Sequence, residues 1–480
     1  MGTLTPASAS HRQSPHAKTL GPQRFLAISI IATLALMGGG CGAGDADHNV
    51  GGASTSSAVQ PGSALVTDGQ REQEALAREI LATDVLREEV ERVKALYAAD
   101  PRGVTPAGAA TTSRAANAIS TGAALYAVSE DPDRPVLVWG VTAPHEFSGL
   151  NMPRSGYGIE NPDNVYRKAT VAGNASYEIR GKITEPGPAE LHFELRDAIP
   201  GTTGLSPEAG TQLGNLSSDA IKVGYDGSFV ITVDSSPADG RPNHLQIPKD
   251  GTTFVLVRDL LNDWSRENPV GLEIERISGP PISAPKSVEQ LAARSTEILS
   301  KIAPFWVSYF DKFLYSAPSN TLIPVRERPG ARGFSTNGWF DLADDEALVV
   351  TLDPVGAKSL GIQISDPWGV AYEYRDRTSS LNTTQSKPNP DGTYTFVVSK
   401  NDPGVFNWLD PEDKGSGMFA VRWQALPGAS AIDRAVRDVR LIKSEALRDA
   451  LPPNTTFVTA DERKSQQSER AASYDRRMNE

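Results

Sequence analysis

"DGSFVITVDSSPADGRPNHLQIPKDGTTFVLVRDL" spans residues 226–260 and returns, in altered form, as "DGTYTFVVSKNDPGVFNWLDPEDKGSGMFAVRWQAL" at residues 391–426. Each copy begins with Asp-Gly, a hairpin-turn signal, and continues as a strand of alternating apolar and polar residues. Each copy then passes through a Pro- and Gly-rich loop and closes on a strand carrying Arg258 or Arg422. The offset of about 165 residues exceeds the roughly 20–50 residues of a solenoid repeat, so it predicts a duplicated domain.

Further alternating segments surround each copy, among them "AELHFELRD" at 189–197 and "SLGIQISDP" at 359–367. A period of two is typical of half-buried strands. The predicted fold class is mainly β with helices (α+β), built from two related antiparallel, jelly-roll-like β-sandwich domains. We expect the first sandwich at 131–283, and the second at 319–450 with a C-terminal helix over 430–451.

A bridging amphipathic helix is predicted between the sandwiches, within residues 284–318. It begins at Ser287, and Gln290 three residues later completes a capping box. Its buried face is rich in aromatic residues, including Trp306 and Tyr309. Such a face packs on both sandwiches or, alternatively, lines an aromatic ligand groove.

A second amphipathic helix is predicted at 71–99, inside a helical N-terminal segment at 71–130, because its apolar residues recur every three or four positions. This helix either packs on its own domain or docks a protein partner. The charged tail at 451–480 is expected to fray.

The N-terminus has the features of an export signal. Residues 1–24 carry basic but no acidic residues, and the apolar run at 25–37 is shorter than the roughly 20 residues that a spanning helix needs. Cys41 is the only cysteine, and its surroundings resemble the lipobox of bacterial lipoproteins. We therefore predict a lipoprotein signal peptide at 1–40, lipidation of Cys41, and a flexible tether at 41–70. The alternative is an ordinary signal peptide cleaved near Gly40.

Composition narrows the class of ligand. The formal net charge is −12, which argues against nucleic acid, whose binding needs a basic surface. The membrane contact is therefore expected through the lipid anchor alone, on the periplasmic or outer side of the cell membrane. No cofactor motif occurs, and "DPEDKG" at 410–415 has a calcium-like spacing of acidic residues but lacks the bidentate Glu that ends an EF-hand loop, so no cofactor and no metal are predicted. His192 alternates with two apolar neighbours, and we expect it on an exposed strand face.

Loop clusters of Asn, Arg, Tyr and Trp are the candidate ligand-binding residues. Aromatic faces with planar amide and guanidinium donors suit sugar rings and carboxylated ligands. Alternatively, the Asn and Asp residues cap turns through the backbone, and the Trp fills a core. The candidates are Asn161, Asp163, Asn164, Tyr166 and Arg167 before one strand, Tyr374, Arg375 and Arg377 at the matching edge of the other copy, and Asn407 and Trp408 in the repeat loop.

Glycoside cleavage would need only a pair of suitably spaced carboxylates. The loop candidates are Asp163, Asp239, Asp259, Asp263, Asp376, Asp402 and Asp410. Sequence alone leaves open which of them converge, and therefore whether the chain is an enzyme.

Four segments carry a resemblance to a known family: "NPDNVYRKATVAGNASYEIRG" (161–181), "NHLQIPKDGTTFVLVRDLLNDW" (243–264), "YEYRDRTSSLN" (372–382) and "DPGVFNWLDPEDKGSGMFAVRW" (402–423). They resemble bacterial secreted proteins and lipoproteins built from paired β-sandwich domains of unknown function, the twelve-fourteen group. The resemblance covers about residues 134–450. It implies jelly-roll sandwiches similar to folds that handle glycans, and it supplies no catalytic residues.

The expected function is that of a lipid-anchored envelope protein that binds, or hydrolyses, a glycan or another envelope ligand between its sandwiches. The alternative is a non-catalytic accessory lipoprotein that docks a protein partner through the 71–99 helix. An enzyme requires converging loop carboxylates in a pocket, and a binding module requires an aromatic platform. A docking protein requires an exposed apolar helix face and no pocket.

Overall fold

The computed structural model describes residues 63–147, 149–328, 333–426 and 432–478. The predicted signal peptide and the lipidation site at Cys41 lie outside these ranges. The α-helices are α1 Asp68–Leu81, α2 Asp84–Ala99, α3 Pro106–Val128, α4 Val288–Phe313, α5 Leu447–Ala450 and α6 Ala460–Asp475.

The strands of the described residues fall into two sets of nine matching members, with three short additions, β2, β3 and β13. They are β1 Val138–Gly140, β2 His145–Phe147, β3 Leu150–Met152, β4 Asn164–Ala172, β5 Ser176–Lys182, β6 Glu190–Arg196, β7 Gln212–Ser217, β8 Ser228–Asp234, β9 His244–Gln246, β10 Thr252–Leu260, β11 Gly271–Ser278, β12 Thr321–Leu322, β13 Arg326–Glu327, β14 Phe334–Asp341, β15 Glu346–Leu352, β16 Ser359–Ser365, β17 Ser380–Asn382, β18 Tyr394–Ser399, β19 Trp408–Leu409, β20 Ser416–Gln424 and β21 Val436–Lys443.

Both sandwiches have the same strand order. In the first, the sheet β1-β4-β10-β6-β7 packs on the sheet β11-β5-β8-β9. In the second, β12-β14-β20-β16-β17 packs on β21-β15-β18-β19. The pairing is antiparallel except for the last pair of each second sheet, β8 with β9 and β18 with β19, which is parallel in both copies. The predicted fold class, α+β with two related antiparallel β-sandwiches, is confirmed.

The repeated asparagine explains part of this similarity. Asn243 accepts a hydrogen bond from the backbone N–H of Lys222 and donates one to its carbonyl, at 2.6 and 2.8 Å. Asn407 makes the same two bonds with Lys387, both at 2.8 Å. A side-chain amide thus imitates a strand backbone at the same place in each copy, because an amide offers a donor and an acceptor.

A layer of helices, α1 to α4, covers the outer face of one sheet from each sandwich. In β10, Val255 and Val257 fill the first sandwich core while Phe254 and Leu256 face the helices. In the second sandwich, β20 likewise contributes Met418 and Ala420 to the helical side. These two sheets are therefore covered on both faces, and the expectation of an exposed His192 is wrong: only 2% of it is accessible.

The bridging helix α4 begins as its sequence predicts. Ser287 Oγ accepts from the N–H of Gln290 at 3.3 Å, and the Gln290 side chain accepts from the Ser287 N–H at 2.9 Å. Its apolar face packs into the cluster that the two sandwiches share with the helices. No helix of the described residues has the length and apolarity that crossing a bilayer requires.

The N-terminal predictions need two corrections. The segment 71–99 forms two helices, because the chain turns after Leu81, where the Thr83 hydroxyl donates to the carbonyl of Ile80 at 2.7 Å. The tether does not extend to residue 70: Leu65 and Val66 are buried, and α1 begins at Asp68.

The C-terminal predictions also need correction. The longest element within 430–451 is strand β21, which β15 takes as a hydrogen-bonded neighbour, and the α-helical part of its described residues is the single turn Leu447–Ala450. The tail at 451–480 does not fray, since it forms α6. Tyr474 at the end of α6 is 2% exposed.

Candidate functional site

A cavity of about 230 Å³ lies where the helical layer meets both sandwiches. Strands β4, β6 and β10 form one wall, β14 and β20 a second, and helices α3 and α4 a third. Its lining is basic, although the chain as a whole is acidic. The cations are Lys168, Arg196, Arg258, Arg326, Arg328 and Arg422, and the carboxylates are Glu160, Glu208 and Glu327.

Strand alternation explains why these side chains meet. In β4, Ala169 and Val171 point into the first core, so Lys168 between Arg167 and Ala169 points toward the helices. By the same alternation, Arg258 of β10 points away from the first sandwich core, on the same face as Leu256. Arg422 of β20 points away from the second sandwich core, on the same face as Ala420. Each copy of the repeat thus contributes its arginine to one shared cavity.

The two repeat arginines have different partners. Arg258 pairs with the buried carboxylate of Glu194, which also accepts from Arg196 at 2.5 Å. Arg422 instead donates to neutral oxygens, the side chain of Gln363 and the carbonyl of Ile159, each at 2.5 Å.

Glu194 and Gln363 occupy matching positions on β6 and β16. On the neighbouring strand, the residue opposite each of them precedes the arginine by two positions. Where the first copy has a carboxylate, the second therefore has an amide. Arg258 has a carboxylate as its direct partner, whereas Arg422 makes no ion pair among the described residues, and the carboxylates of Asp163 and Glu160 act on it only from a greater distance.

Lys168 is the second cation of this kind. Its side chain is buried, and Nζ finds no hydrogen-bond acceptor among the described residues. The Tyr126 ring lies 3.5 Å from Nζ, measured to the ring centroid. Burial lowers the pKa of Lys168 to about 7, because desolvation disfavours the ammonium form. A Cβ at Gly140 would come within 3.1 Å of Nζ, so the glycine leaves room for this amine.

Aromatic side chains form the helical wall. Trp306 and Tyr309 of α4 contact each other edge to face, with 5.1 Å between centroids. The indole N–H of Trp306 is buried and has no acceptor among the described residues. Gly158 adopts a φ of +69°, and a Cβ there would lie 2.8 Å from the indole. Tyr126 and Tyr157 are joined by a hydrogen bond of 2.5 Å between hydroxyls.

Glu160 is at the edge of the cavity, where the two sandwiches meet. Its Oε1 accepts from the N–H of Ala371 at 3.0 Å, and its backbone carbonyl accepts from the Gln363 side chain. Burial raises the pKa of Glu160 to about 7, partly opposed by the guanidinium of Arg154.

Of the ten ligand-binding residues predicted from the sequence, Tyr166 alone lines this cavity. Its neighbours before β4 hold the sandwiches together instead. Asn161 donates to Gln424 at 3.1 Å, and Asp163 accepts from Trp264 and Asn382 at 3.0 and 2.8 Å. Asn164 is buried beside the Tyr166 hydroxyl.

Arg167 and the candidates of the second sandwich also make contacts within the protein. Arg167 points into the first sandwich and pairs with Asp259 through two hydrogen bonds of 2.7 Å. Tyr374 packs against Tyr474, Arg375 pairs with Asp475, Arg377 pairs with Asp410, Asn407 bonds to the backbone of Lys387, and Trp408 is buried and donates to the carbonyl of Ser399.

The loop aspartates considered for glycoside cleavage do not converge on the cavity, since its carboxylates are glutamates. Among the described residues, no group of three or more His, Cys, Asp and Glu side chains could hold a metal ion.

Sequence reasoning missed Lys168 and Arg422 as cations of the cavity, although it contained a signal for one of them. Arg422 and Arg258 close the two copies of the repeat, and a charge retained at a strand end in both copies marks a shared position. The alternative prediction for α4, an aromatic ligand groove, included Trp306. Lys168 has no such signal, because its burial depends on helices that are distant in sequence.

Comparison with known proteins supports the architecture. No family model matches the sequence, and no curated protein matches it. An uncharacterised protein from Burkholderia cenocepacia has a similar solved structure, with a TM-score of 0.60, 22% identity, and coverage of 77% of this chain and 99% of that one. A protein from Vibrio parahaemolyticus aligns with a TM-score of 0.37 and 11% identity over 59% of this chain and 90% of its own. The first likeness shows the fold alone.

Proposed function

We propose that this protein binds an acidic carbohydrate in the cavity between its two sandwiches. The observation that carries the proposal is Arg422, a guanidinium that lines the cavity and makes no ion pair among the described residues, beside the buried amine of Lys168. A buried charge is costly unless it is paired, so such a site favours a ligand that brings the missing negative charge.

The remaining walls favour a sugar over a bare anion. Trp306 and Tyr309 offer aromatic faces of the kind that pack against the apolar face of a sugar ring. The unsatisfied indole N–H of Trp306 adds a donor for a hydroxyl or carboxylate oxygen. We take a hexuronate residue as the ligand because it combines a ring, several acceptors and one carboxylate.

The proposed cellular setting is the envelope, where a lipid on Cys41 would anchor the chain. The resemblance to bacterial lipoproteins with paired β-sandwich domains supports this setting. The rival function, docking of a protein partner through the N-terminal helices, loses its support. The apolar residues of α1 and α2, among them Ile80, Val90 and Tyr97, are buried against α3 and α4.

Calorimetric titration of the full chain with glucuronate and galacturonate oligosaccharides tests this function. We expect binding to the acidic oligomers and none to neutral glucose oligomers of the same length. Arg422→Gln should weaken binding about tenfold, the value of one lost charged hydrogen bond. Arg180→Gln on the exposed face of β5 is the matched control. Equal binding of acidic and neutral oligomers, or of neither, would contradict the proposal.

A further inference from the structure

Lys168 has surroundings that differ from those of the arginines in the same cavity. Its neighbours across the sheet are apolar, Val138 of β1 and Leu256 of β10. The Tyr126 ring covers one side of Nζ, and no protein oxygen of the described residues accepts a hydrogen bond from it. Lys168 as a whole is only 3% exposed, yet it lines the cavity.

These surroundings favour the neutral amine. Desolvation without a counter-ion penalises the ammonium form, and it is the sole cause of the lowered pKa of Lys168. A neutral amine in an apolar pocket is a nucleophile toward carbonyl carbon, whereas an exposed lysine at neutral pH is almost entirely protonated. An arginine in this position could not react in the same way, because guanidinium stays protonated.

We propose that Lys168 forms an imine with the carbonyl group of an anionic aldehyde, the open-chain form of an acidic sugar. The identity of the sugar rests on the function proposed above. The neutral Nζ donates its lone pair to the carbonyl carbon as the C=O π bond breaks, and one amine proton passes to the oxygen to give a carbinolamine. The C–O bond then breaks, and the hydroxyl group leaves with the second amine proton as one water, so that a C=N bond remains. No oxidant or reductant takes part.

The cavity supplies what this reaction needs. Arg422, whose direct acceptors are neutral oxygens, can hold the carboxylate of the sugar. The Tyr126 ring restricts the position of Nζ, so that the amine is already ordered when the carbonyl arrives. Because Lys168 lies on β4, the reducing end of the sugar would lie against the wall of the cavity that β4 forms.

The test uses the full chain with glyoxylate, the smallest anionic aldehyde, and sodium cyanoborohydride at pH 7.5. Reduction of the imine leaves a carboxymethyl group that peptide mass spectrometry can assign. We expect Lys168 to be labelled at least about tenfold faster than the exposed Lys464, because burial lowers the pKa of Lys168 to about 7 and so favours its nucleophilic neutral form at pH 7.5. Labelling of Lys168 at the same rate as Lys464, or slower, would overturn the inference.

Two variants sharpen the result. Lys168→Arg should abolish the selective adduct, whereas Lys464→Arg should leave it unchanged. Arg422→Gln should slow labelling of Lys168 by glyoxylate but not by the neutral acetaldehyde, and this comparison stands even if Lys168→Arg folds poorly. If acidic oligosaccharides bind and Lys168 stays unlabelled, the imine is wrong and the binding function stands. If glyoxylate labels Lys168 and the oligosaccharides do not bind, the lysine chemistry is supported and the sugar assignment is wrong.

Discussion

At the scale of single residues, one exchange distinguishes the two copies of the repeat. Glu194 in the first sandwich and Gln363 in the second hold equivalent arginines with the same geometry but different charge. The two copies therefore present equivalent arginines. Because the second copy has an amide where the first has a carboxylate, Arg422 makes no ion pair among the described residues and is available to an anionic ligand.

Gln363→Glu tests this reading by copying the first sandwich into the second. The new carboxylate should pair with Arg422 and compete with the carboxylate of the ligand. We expect affinity for acidic oligosaccharides to fall about tenfold, close to the value of one charge-assisted hydrogen bond. Calorimetric titration measures the affinity, and urea unfolding verifies the fold. Gln385→Glu is the control, and unchanged affinity in Gln363→Glu would contradict the role given to Arg422.

Lys168→Met should make the protein more stable and less able to bind. The native pKa of Lys168 is about 7, and that of an unfolded lysine is near 10.5. Below pH 7 both states carry the proton, so the folded state bears the full cost of the buried charge. As pH rises from 7 to 10.5, the folded state has lost its proton while the unfolded state retains it, and the cost is relieved.

The stabilisation by Lys168→Met should therefore be largest near pH 6, at about 2–4 kcal/mol, and should shrink toward pH 10. Urea unfolding at several pH values measures it. Lys301→Met on the exposed side of α4 should show no such pH dependence. A stabilisation that is constant with pH would show that Lys168 is not a buried, uncompensated cation.

At the scale of elements, the alternation of apolar and polar residues identified most of the strands, but it did not show which other elements cover the outer faces of the sheets. The alternation around His192 correctly placed it opposite the sandwich core, yet that side chain is buried, because in this fold the face of the sheet away from the core is also covered. The same limit applies to α6. Its sequence is mostly charged and polar, and it nonetheless packs because its arginines lie over aromatic rings, such as Arg470 at 4.3 Å from the Trp264 ring.

Tyr474→Ala tests whether α6 is an integral part of the fold. Tyr474 contacts Trp264 and Tyr374 edge to face, each at 5.6 Å between centroids. Removal of a buried aromatic ring should lower the free energy of unfolding by about 3–5 kcal/mol. Urea unfolding followed by tryptophan fluorescence measures this change. Lys464→Ala on the exposed face of α6 should cost little, and equal effects of the two variants would restore the prediction of a frayed tail.

At the scale of the whole molecule, the residues before β4 join the two sandwiches. Ile159 accepts from Arg422, Asn161 donates to Gln424, and Asp163 accepts from Asn382. The helical layer adds a shared apolar cluster with side chains from both sandwiches. The candidate residues Asn161 and Asp163 thus form a junction beside the cavity.

Because the junction and the helical layer are shared, we expect the two sandwiches to unfold together. Tryptophan fluorescence and far-ultraviolet circular dichroism should report one coincident transition in urea. Asn382→Ala removes one junction hydrogen bond and should lower the free energy of unfolding by about 1 kcal/mol, which moves the single midpoint to a lower urea concentration. Two separate transitions in the unaltered chain would show that each sandwich is an independent folding unit.

The sequence by itself determined the features that depend on neighbouring residues. The duplication, the alternating strands and the capping box of α4 are all local, and the structure contains each of them. Partners that are distant in sequence were decided only by tertiary structure. Residues 436–443 form a strand because β15 pairs with them, and residues 460–475 form a helix that packs on an aromatic surface including Trp264.

The site shows the same division. Sequence could mark Arg258 and Arg422 as equivalent, because they close two copies of one repeat. It could not show that Glu194 neutralises the first while Gln363 leaves the second charged, since those contacts cross between strands. Nor could it show that Lys168 is buried without a partner. Electrostatic cost depends on what surrounds a charge in space, and that arrangement arises only when helices and sandwiches pack together.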